Sequence, residues 1–501
     1  MPQVQADTTL DRPMRAFAII LLVAGALLRL YIYLQNRDLI IDEANVARNI
    51  YERGFIALLQ PLDYEQYAPP LFLWITKFFS LIFGLGEQSL RIYPLLCGLA
   101  APWLFYKLLK EYLPIPTIWY PAILFAFSPI MLRYSSELKQ YMPDVFIALM
   151  LIWLALNLSI ETSRKARFVL LWVFIGSIAI WSSMPSVFVL AGIGCYYSWQ
   201  LINNRQYKML WLPVTISMVW VLQFAVYYLL ILKDQANSQY LQNFHQYDFL
   251  FATPGNKGEW EHNWRVFSEL MIRFEGYLPY VHNVNTAFLI IGTIMLLRKA
   301  AARSILLIVP VLALCAAAAL NQFSMMVRVS LFIIPVLLLI VGYGFAQYYY
   351  LKSVWLKGIV IVAGLYAAGS NIYYLSGEPF KYEELTKGMS FVLEKDIPGN
   401  RVFLYHSSVP AFIYYTTIHP EREKWARIGP ANRLIYETNY DSLSWQMRGV
   451  WSSNEPVAFI YTNATQEEFQ YRNGHVKNHM QVADSLDYPW VKAYIFRKPG
   501  E

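Results

Sequence analysis

Between Arg15 and Leu375 the sequence is a succession of apolar runs, most of them long enough to cross a lipid bilayer. That pattern leaves few folds open. Inside a bilayer every backbone N–H and C=O must be satisfied without water, so only helices and closed barrels can span it. Runs of this length read as helices, since a barrel strand needs only about 10 alternating residues. Candidate spans are 16–34, 89–107, 117–133, 143–160, 167–183, 185–202, 209–231, 284–297, 304–320, 331–350 and 354–375, eleven in all. The first is long enough to span and lacks a small-x-small cleavage site, so it reads as an uncleaved span with its N-terminus in the cytoplasm.

A twelfth apolar stretch, 68–83, behaves differently. It is short, opens with Pro69–Pro70 and carries Lys77 in its middle. A lysine near the bilayer centre costs several kcal/mol. Charge bias decides its placement. If 68–83 lies along the interface, the loops carrying Lys107/Lys110, Arg164/Lys165/Arg167, Arg205/Lys208, Arg298/Lys299/Arg303 and Lys352/Lys357 all fall inside with Arg12 and Arg15. That satisfies the positive-inside rule. The same choice collects four other segments on the outer face: 35–67, Arg133–Tyr141, 233–283 and Asn321–Arg328. The 233–283 loop is long enough to be partly helical and to cover a site.

Composition changes after Lys381. The whole chain is 57% hydrophobic and 15% charged, against about 25% charged for a soluble domain, yet the last segment reads as an ordinary soluble α/β domain. Residues 1–380 are therefore expected to form a membrane domain and 381–501 an extracytoplasmic one. Tyr382 to Glu394 suits a helix. Arg401–Tyr405 and Val457–Tyr461 suit buried strands, and Val491–Phe496 alternates like an edge strand. The net charge of +7 comes from short loop clusters without a basic stripe, which argues against nucleic acid. Cys97, Cys195 and Cys315 sit singly in apolar runs, with no metal-ligand or disulfide spacing.

Four polar elements on the outer face carry the chemistry. Asp42–Glu43 follows the first span; paired carboxylates there suit either a helix N-terminus or a general base at the membrane surface. Asp63–Leu71 ends in two prolines, which start a helix by default. Ser135–Tyr141 holds Glu137, Lys139 and Tyr141. Arg328 lies near the outer end of a late span, where it either snorkels to the interface or grips phosphate oxygens with its forked donors.

Asp42–Glu43, the Tyr67–Leu71 stretch, Gly84-x-x-Glu87-x-x-x-Arg91, Ser128–Pro129 with Ser135-x-Glu137-x-Lys139-x-Tyr141, Arg328-x-x-Leu331 through Pro335, and Val402–Tyr415 together resemble the bacterial relatives of protein O-mannosyltransferases and aminoarabinose transferases. The motifs run in order over most of the chain. The resemblance implies a mainly α GT-C membrane fold with about 11 transmembrane helices and a small C-terminal α/β domain. It also implies an enzyme that moves a sugar, with inversion, from a polyprenyl-phosphate donor to an envelope acceptor, at the extracytoplasmic face of the cell inner membrane. Carried over by position, Asp42 would be the base with Glu43 beside it. Glu65, Tyr67, Glu137, Lys139 and Tyr141 would line the substrate cavity, and Arg328 would hold the donor phosphate. A divalent cation is compatible with this chemistry, although no ligand cluster demands one. Two departures stand out. Ala68 replaces the lysine that aminoarabinose transferases carry before the two prolines, and Lys139 replaces the family's usual arginine. The rival classes are a lipid or polysaccharide transporter or flippase, and a polymerase. Charges concentrated at span ends rather than at mid-bilayer speak against transport.

Overall fold

A computed structural model describes residues 11–160, 165–236, 238–272, 278, 280–376, 380, 383–429, 432–433 and 454–499. Among these, eight helices are long and apolar enough to cross a membrane: Asp11–Leu34, Ile92–Tyr112, Lys165–Ser182, Tyr207–Leu232, Val281–Lys299, Ala301–Ala319, Leu331–Tyr350 and Val354–Leu375. The chain is an integral membrane protein. Helices Tyr141–Asn157 and Ser186–Asn203 complete the packed bundle. The run expected to span at 117–133 is instead broken into Trp119–Ala126 and Pro129–Tyr134. Pro129 has no N–H to donate and pushes Ser128 out of the helical region, so the helix stops there.

Helix Pro70–Phe83 has 14 residues. At about 1.5 Å rise per residue it falls short of a hydrocarbon core of about 30 Å. Its Phe72 and Leu73 are buried, and the Lys77 ammonium donates to the Ile50 carbonyl at 2.6 Å. The lysine is thus satisfied at the end of the neighbouring helix Ile41–Glu52.

Arg29 is the one wholly buried arginine of the first span. Its guanidinium donates to the carbonyls of Gly25 (2.9 Å) and Ala126 (3.1 Å) and to Ser135 Oγ (3.1 Å). The Ala126 carbonyl is available because the 117–133 segment breaks there. The arginine therefore fastens the first helix to the turn that carries Glu137 and Lys139. Helices Val281–Lys299 and Leu331–Tyr350 cross in close contact. A Cβ on Gly344 would fall on the Phe288 carbonyl, and one on Gly292 on the Ile340 carbonyl. Small residues are what let membrane helices approach this closely. Gly344→Val is expected to force the pair apart and lower the yield of monodisperse protein in detergent, as size-exclusion chromatography would show; a wild-type profile would contradict the crossing.

After the last long helix the chain builds a sheet of β1 (Val402–Leu404), β2 (Asn432–Arg433), β3 (Val457–Tyr461), β4 (Gln481–Tyr488) and β5 (Val491–Arg497). Its order is β2-β1-β3-β5-β4. β1 pairs in parallel with β2 and β3, while β5 runs antiparallel to β3 and β4. Val491–Phe496, expected at an edge, is therefore interior. The edge on that side is β4, whose polar side chains are mostly exposed; an exposed outer strand tolerates QVADSLDY and gives no apolar signal. The helix expected from Tyr382 runs over Leu385–Glu394, and Lys381 and Tyr382 lie outside the described residues, as do Glu161, Arg164, Arg273 and Glu275.

One buried apolar cluster crosses from the membrane domain into the sheet unit. It joins Ala44, Ala47, Ile50, Phe72 and Leu138 to Leu385, Met389, Val402, Tyr415 and Ala493. Polar contacts reinforce it. Thr386 donates to both Asp38 oxygens (2.7 and 2.9 Å), and Tyr415 donates to Glu87 (2.8 Å) while accepting the Leu39 N–H (3.0 Å). The sheet unit thus clamps the segment leading into Asp42.

Candidate active site

Helix Ile41–Glu52 follows the capping residue Ile40 and has Asp42 and Glu43 in its first turn. Successive helical residues are rotated by about 100° from one another, so adjacent side chains leave in different directions. Asp42 points into a cavity. Glu43 is fully buried and turns the other way. It receives Arg91 Nε at 2.8 Å and Nη2 at 2.7 Å, the Leu138 N–H at 2.6 Å and the Ile40 N–H at 3.3 Å. Burial alone would raise this carboxyl; the Arg91 guanidinium, the Leu138 N–H and Arg37 together outweigh it and hold Glu43 below its usual range. With its oxygens so occupied, Glu43 fixes the helix start and the 135–140 turn, and Asp42 faces the cavity alone. Sequence adjacency gave no sign of this division.

Asp42 sits between two cations. Arg328 Nη1 donates to Asp42 Oδ2 at 3.2 Å, and Lys139 Nζ lies 3.9 Å from the same oxygen. Lys139 and then Arg328 pull the Asp42 carboxyl below its ordinary value, against the effect of burial. Lys139 is itself driven down by burial, against the attraction of Asp42, and donates to Gln66 Oε1 at 2.8 Å. Arg328 Nε is buried with no hydrogen-bond partner among the described residues, a spare donor beside the carboxylate.

These side chains stand at the polar end of a cavity of about 1300 Å³. Asp42, Asn45, Arg48, Gln66, Lys139 and Arg328 form that end; Met184, Val187, Phe188, Phe224, Tyr228 and Leu232 form an apolar wall on the membrane helices. Helix Gln239–His245, from the loop expected to cover a site, contributes Tyr240, Phe244 and His245. Burial, and then Arg328, press His245 down to about 4, so its ring is neutral at physiological pH.

The other expected residues fall as follows. Tyr67 lines the cavity, its hydroxyl paired with that of Tyr227. Tyr141 lines it too, edge-on to Tyr134. Glu65 is on its exposed rim, where Ser238 donates to it at 3.3 Å. Glu137 is buried away from the cavity in an ion pair with Arg133 at 2.6 Å. Among the described residues no three His, Cys, Asp or Glu side chains gather as metal ligands. Residues not anticipated as site members include Gln66, Asn45, Arg48 and Asp144 on the cavity wall, and Arg91 behind Glu43. Asp144 was legible as an ionisable residue within an apolar run, which marks a site by default.

A crystal structure of ArnT from Cupriavidus metallidurans bound to undecaprenyl phosphate is similar over 95% of this chain and 97% of its own, at 13% identity and a TM-score of 0.51. This is the GT-C glycosyltransferase fold. The apo form of the same protein matches at 14% identity with a TM-score of 0.49. Residues 67–231 match the family described as dolichyl-phosphate-mannose-protein mannosyltransferase. No curated protein matches the chain. The matched segment holds Tyr67, helix Pro70–Phe83, Arg91 and the Ser135–Tyr141 turn; Asp42 and Arg328 of this GT-C chain lie outside it.

Proposed function

We propose that this GT-C protein transfers a sugar, with inversion, from a polyprenyl-phosphate donor to an envelope acceptor at the outer face of the cell inner membrane. One observation carries the reading: the carboxylate of Asp42 is held by two cations in a large cavity that also presents an apolar wall on the membrane helices. A lipid phosphate has matching halves. Its isoprenoid chain suits the wall at Phe188, Phe224 and Leu232, and its phosphate suits Arg328 and Lys139. The ArnT structure that shares the fold was solved with undecaprenyl phosphate, which supports this donor class. On this reading residues 381–501 form an extracytoplasmic domain.

In the reaction, an acceptor hydroxyl oxygen bonds to the anomeric carbon as the bond from that carbon to the phosphate oxygen breaks. The electron pair leaves with the phosphate, and the hydroxyl proton passes to Asp42. Arg328 and Lys139 stabilise the charge that grows on the phosphate. The donor also changes the base. Before it binds, both cations are spent on Asp42. Once the phosphate takes them, their hold on the carboxylate weakens and its basicity rises. Donor binding thereby readies the base.

The testing experiment uses the protein in lipid nanodiscs with labelled undecaprenyl-phosphate sugars, hexosyl and pentosyl, and solubilised envelope as acceptor. Label should move from the lipid to the envelope fraction; label that stays on the lipid with every donor contradicts the proposal. Arg328→Ala should weaken undecaprenyl phosphate binding about 10- to 100-fold, the scale of one charge-assisted hydrogen bond. Arg328→Lys should recover only part of it, having the charge without the fork. Unchanged affinity in Arg328→Ala would remove this residue from the phosphate site.

A further inference from the structure

A second cavity, of about 380 Å³, lies against the same catalytic group. Four residues border both cavities: Ile41, Asp42, Arg328 and Asn463. The rest of its wall differs from that of the large cavity. Arg133, Glu383, Trp490 and Lys492 supply charged groups and one indole, and no membrane-spanning helix contributes an apolar surface. Glu383, Asn463, Trp490 and Lys492 come from the segment after the last long helix.

We propose that this small cavity is the acceptor site, and that it takes a saccharide or similarly compact polyhydroxylated group. The inference rests on the sugar-transfer reading above and adds where the second substrate sits and what chemistry it has. Three observations support it. Inversion requires the nucleophile to approach the anomeric carbon from the side opposite the departing phosphate. A base serving that attack must be reachable from two directions, and Asp42 is the carboxylate that borders both cavities. Size separates the two substrates: about 1300 Å³ against about 380 Å³, the latter near the lower limit of small-molecule sites. It has no apolar run to receive a lipid chain. Finally, the lining matches hydroxyl groups. Carboxyl, amide and guanidinium groups supply donors and acceptors in several directions, and Trp490 offers a flat apolar face to a sugar ring.

The lining is also held in place. Glu383 is buried, takes a backbone hydrogen bond from Ile41 and receives Thr462 Oγ1 at 3.4 Å. Burial pushes its carboxyl up to about 8, so at neutral pH it keeps a proton to donate to a hydroxyl oxygen. Lys492 is paired with Asp487. Because Glu383 touches Ile41, the sheet unit and the helix bearing the base meet at this cavity. Acceptor specificity is thereby assigned to the C-terminal segment, and donor specificity to the membrane helices.

The test fills the cavity after folding. In a background with Cys97, Cys195 and Cys315 replaced by serine, Ala464→Cys places a thiol on a wall that only the small cavity has. The folded protein is labelled in membranes with a benzyl methanethiosulfonate. Two quantities are read: transfer from labelled undecaprenyl-phosphate sugar to the envelope fraction, and binding of undecaprenyl phosphate. Trp490→Ala is measured alongside. Both changes should cut transfer about tenfold or more, the scale of one lost aromatic anchor, with undecaprenyl phosphate affinity unchanged. Undiminished transfer would overturn the inference, and so would a parallel loss of undecaprenyl phosphate affinity, which would make the cavity part of the donor site. Failure of the unlabelled protein to bind undecaprenyl phosphate at all would overturn instead the reading beneath it.

Discussion

Replacing Asp42 by asparagine is expected to lower the transfer rate about 100- to 10,000-fold, the usual worth of a positioned general base. The substitution preserves shape and keeps an oxygen for Arg328. Asp42 is partly open to the cavity, so the fold should persist. Removing this negative charge frees Arg328 and Lys139, so undecaprenyl phosphate should bind at least as tightly as before. A large loss of rate without loss of donor affinity is the signature of a base. A pH profile sharpens the point. Lys139 and Arg328 depress the Asp42 carboxyl in the free protein. A base works when deprotonated, so a depressed value places the acid limb of kcat/KM for the donor below the ordinary carboxylate range. With donor bound, the phosphate takes up the cations and the carboxyl rises. The acid limb of kcat should therefore lie at higher pH than that of kcat/KM, since the first reports the complex and the second the free enzyme. Coincident limbs would contradict the exchange of partners.

Glu43→Gln should act on a different quantity. The Arg91–Glu43 pair is almost completely buried, with 4% and 1% of its side chains exposed. Breaking such a pair from one side leaves a buried charge uncompensated, at a cost of about 3–5 kcal/mol. A loss of that size should lower the thermal midpoint of the protein in detergent and its yield. Arg91→Met, with Glu43 left ionised, should do the same. Residual folded Glu43→Gln protein should keep most of its activity per molecule, since Asp42 and the cations remain. A stable Glu43→Gln protein with no activity would reverse the assignment of roles between the two carboxylates.

The contrast between these neighbours shows how far the sequence can be read. The membrane bundle is visible in the apolar runs, and the sheet in VFL, VAFIY and VKAYIF. The polar elements are visible as chemistry-bearing types at span ends. Their pairing is not. Asp42 and Arg328 are 286 positions apart, and nothing local to either says that they meet. Asp42 and Glu43 look equivalent in a line of letters, yet helical rotation sends one to the cavity and the other to Arg91. Arg29 is hidden because one arginine does not interrupt an apolar run; its partners outside its own helix are Ser135 and the Ala126 carbonyl, freed where the 117–133 segment breaks. β4 is hidden because an exposed strand needs no apolar residues. The apolar cluster that welds the sheet unit to helix Ile41–Glu52 gathers residues as distant in sequence as Ala44 and Ala493, a grouping that no local pattern encodes. For the same reason the small cavity, built where the two units meet, has no trace in either segment alone.

The most direct test of the central claim is mass spectrometry of envelope glycans and lipids from cells that have or lack this protein, and from cells carrying Asp42→Asn at equal abundance. Sugar transfer predicts an envelope molecule heavier by one sugar residue that disappears with the protein and is not restored by Asp42→Asn. An envelope with no covalent change, or a product fully restored by Asp42→Asn, would contradict the account.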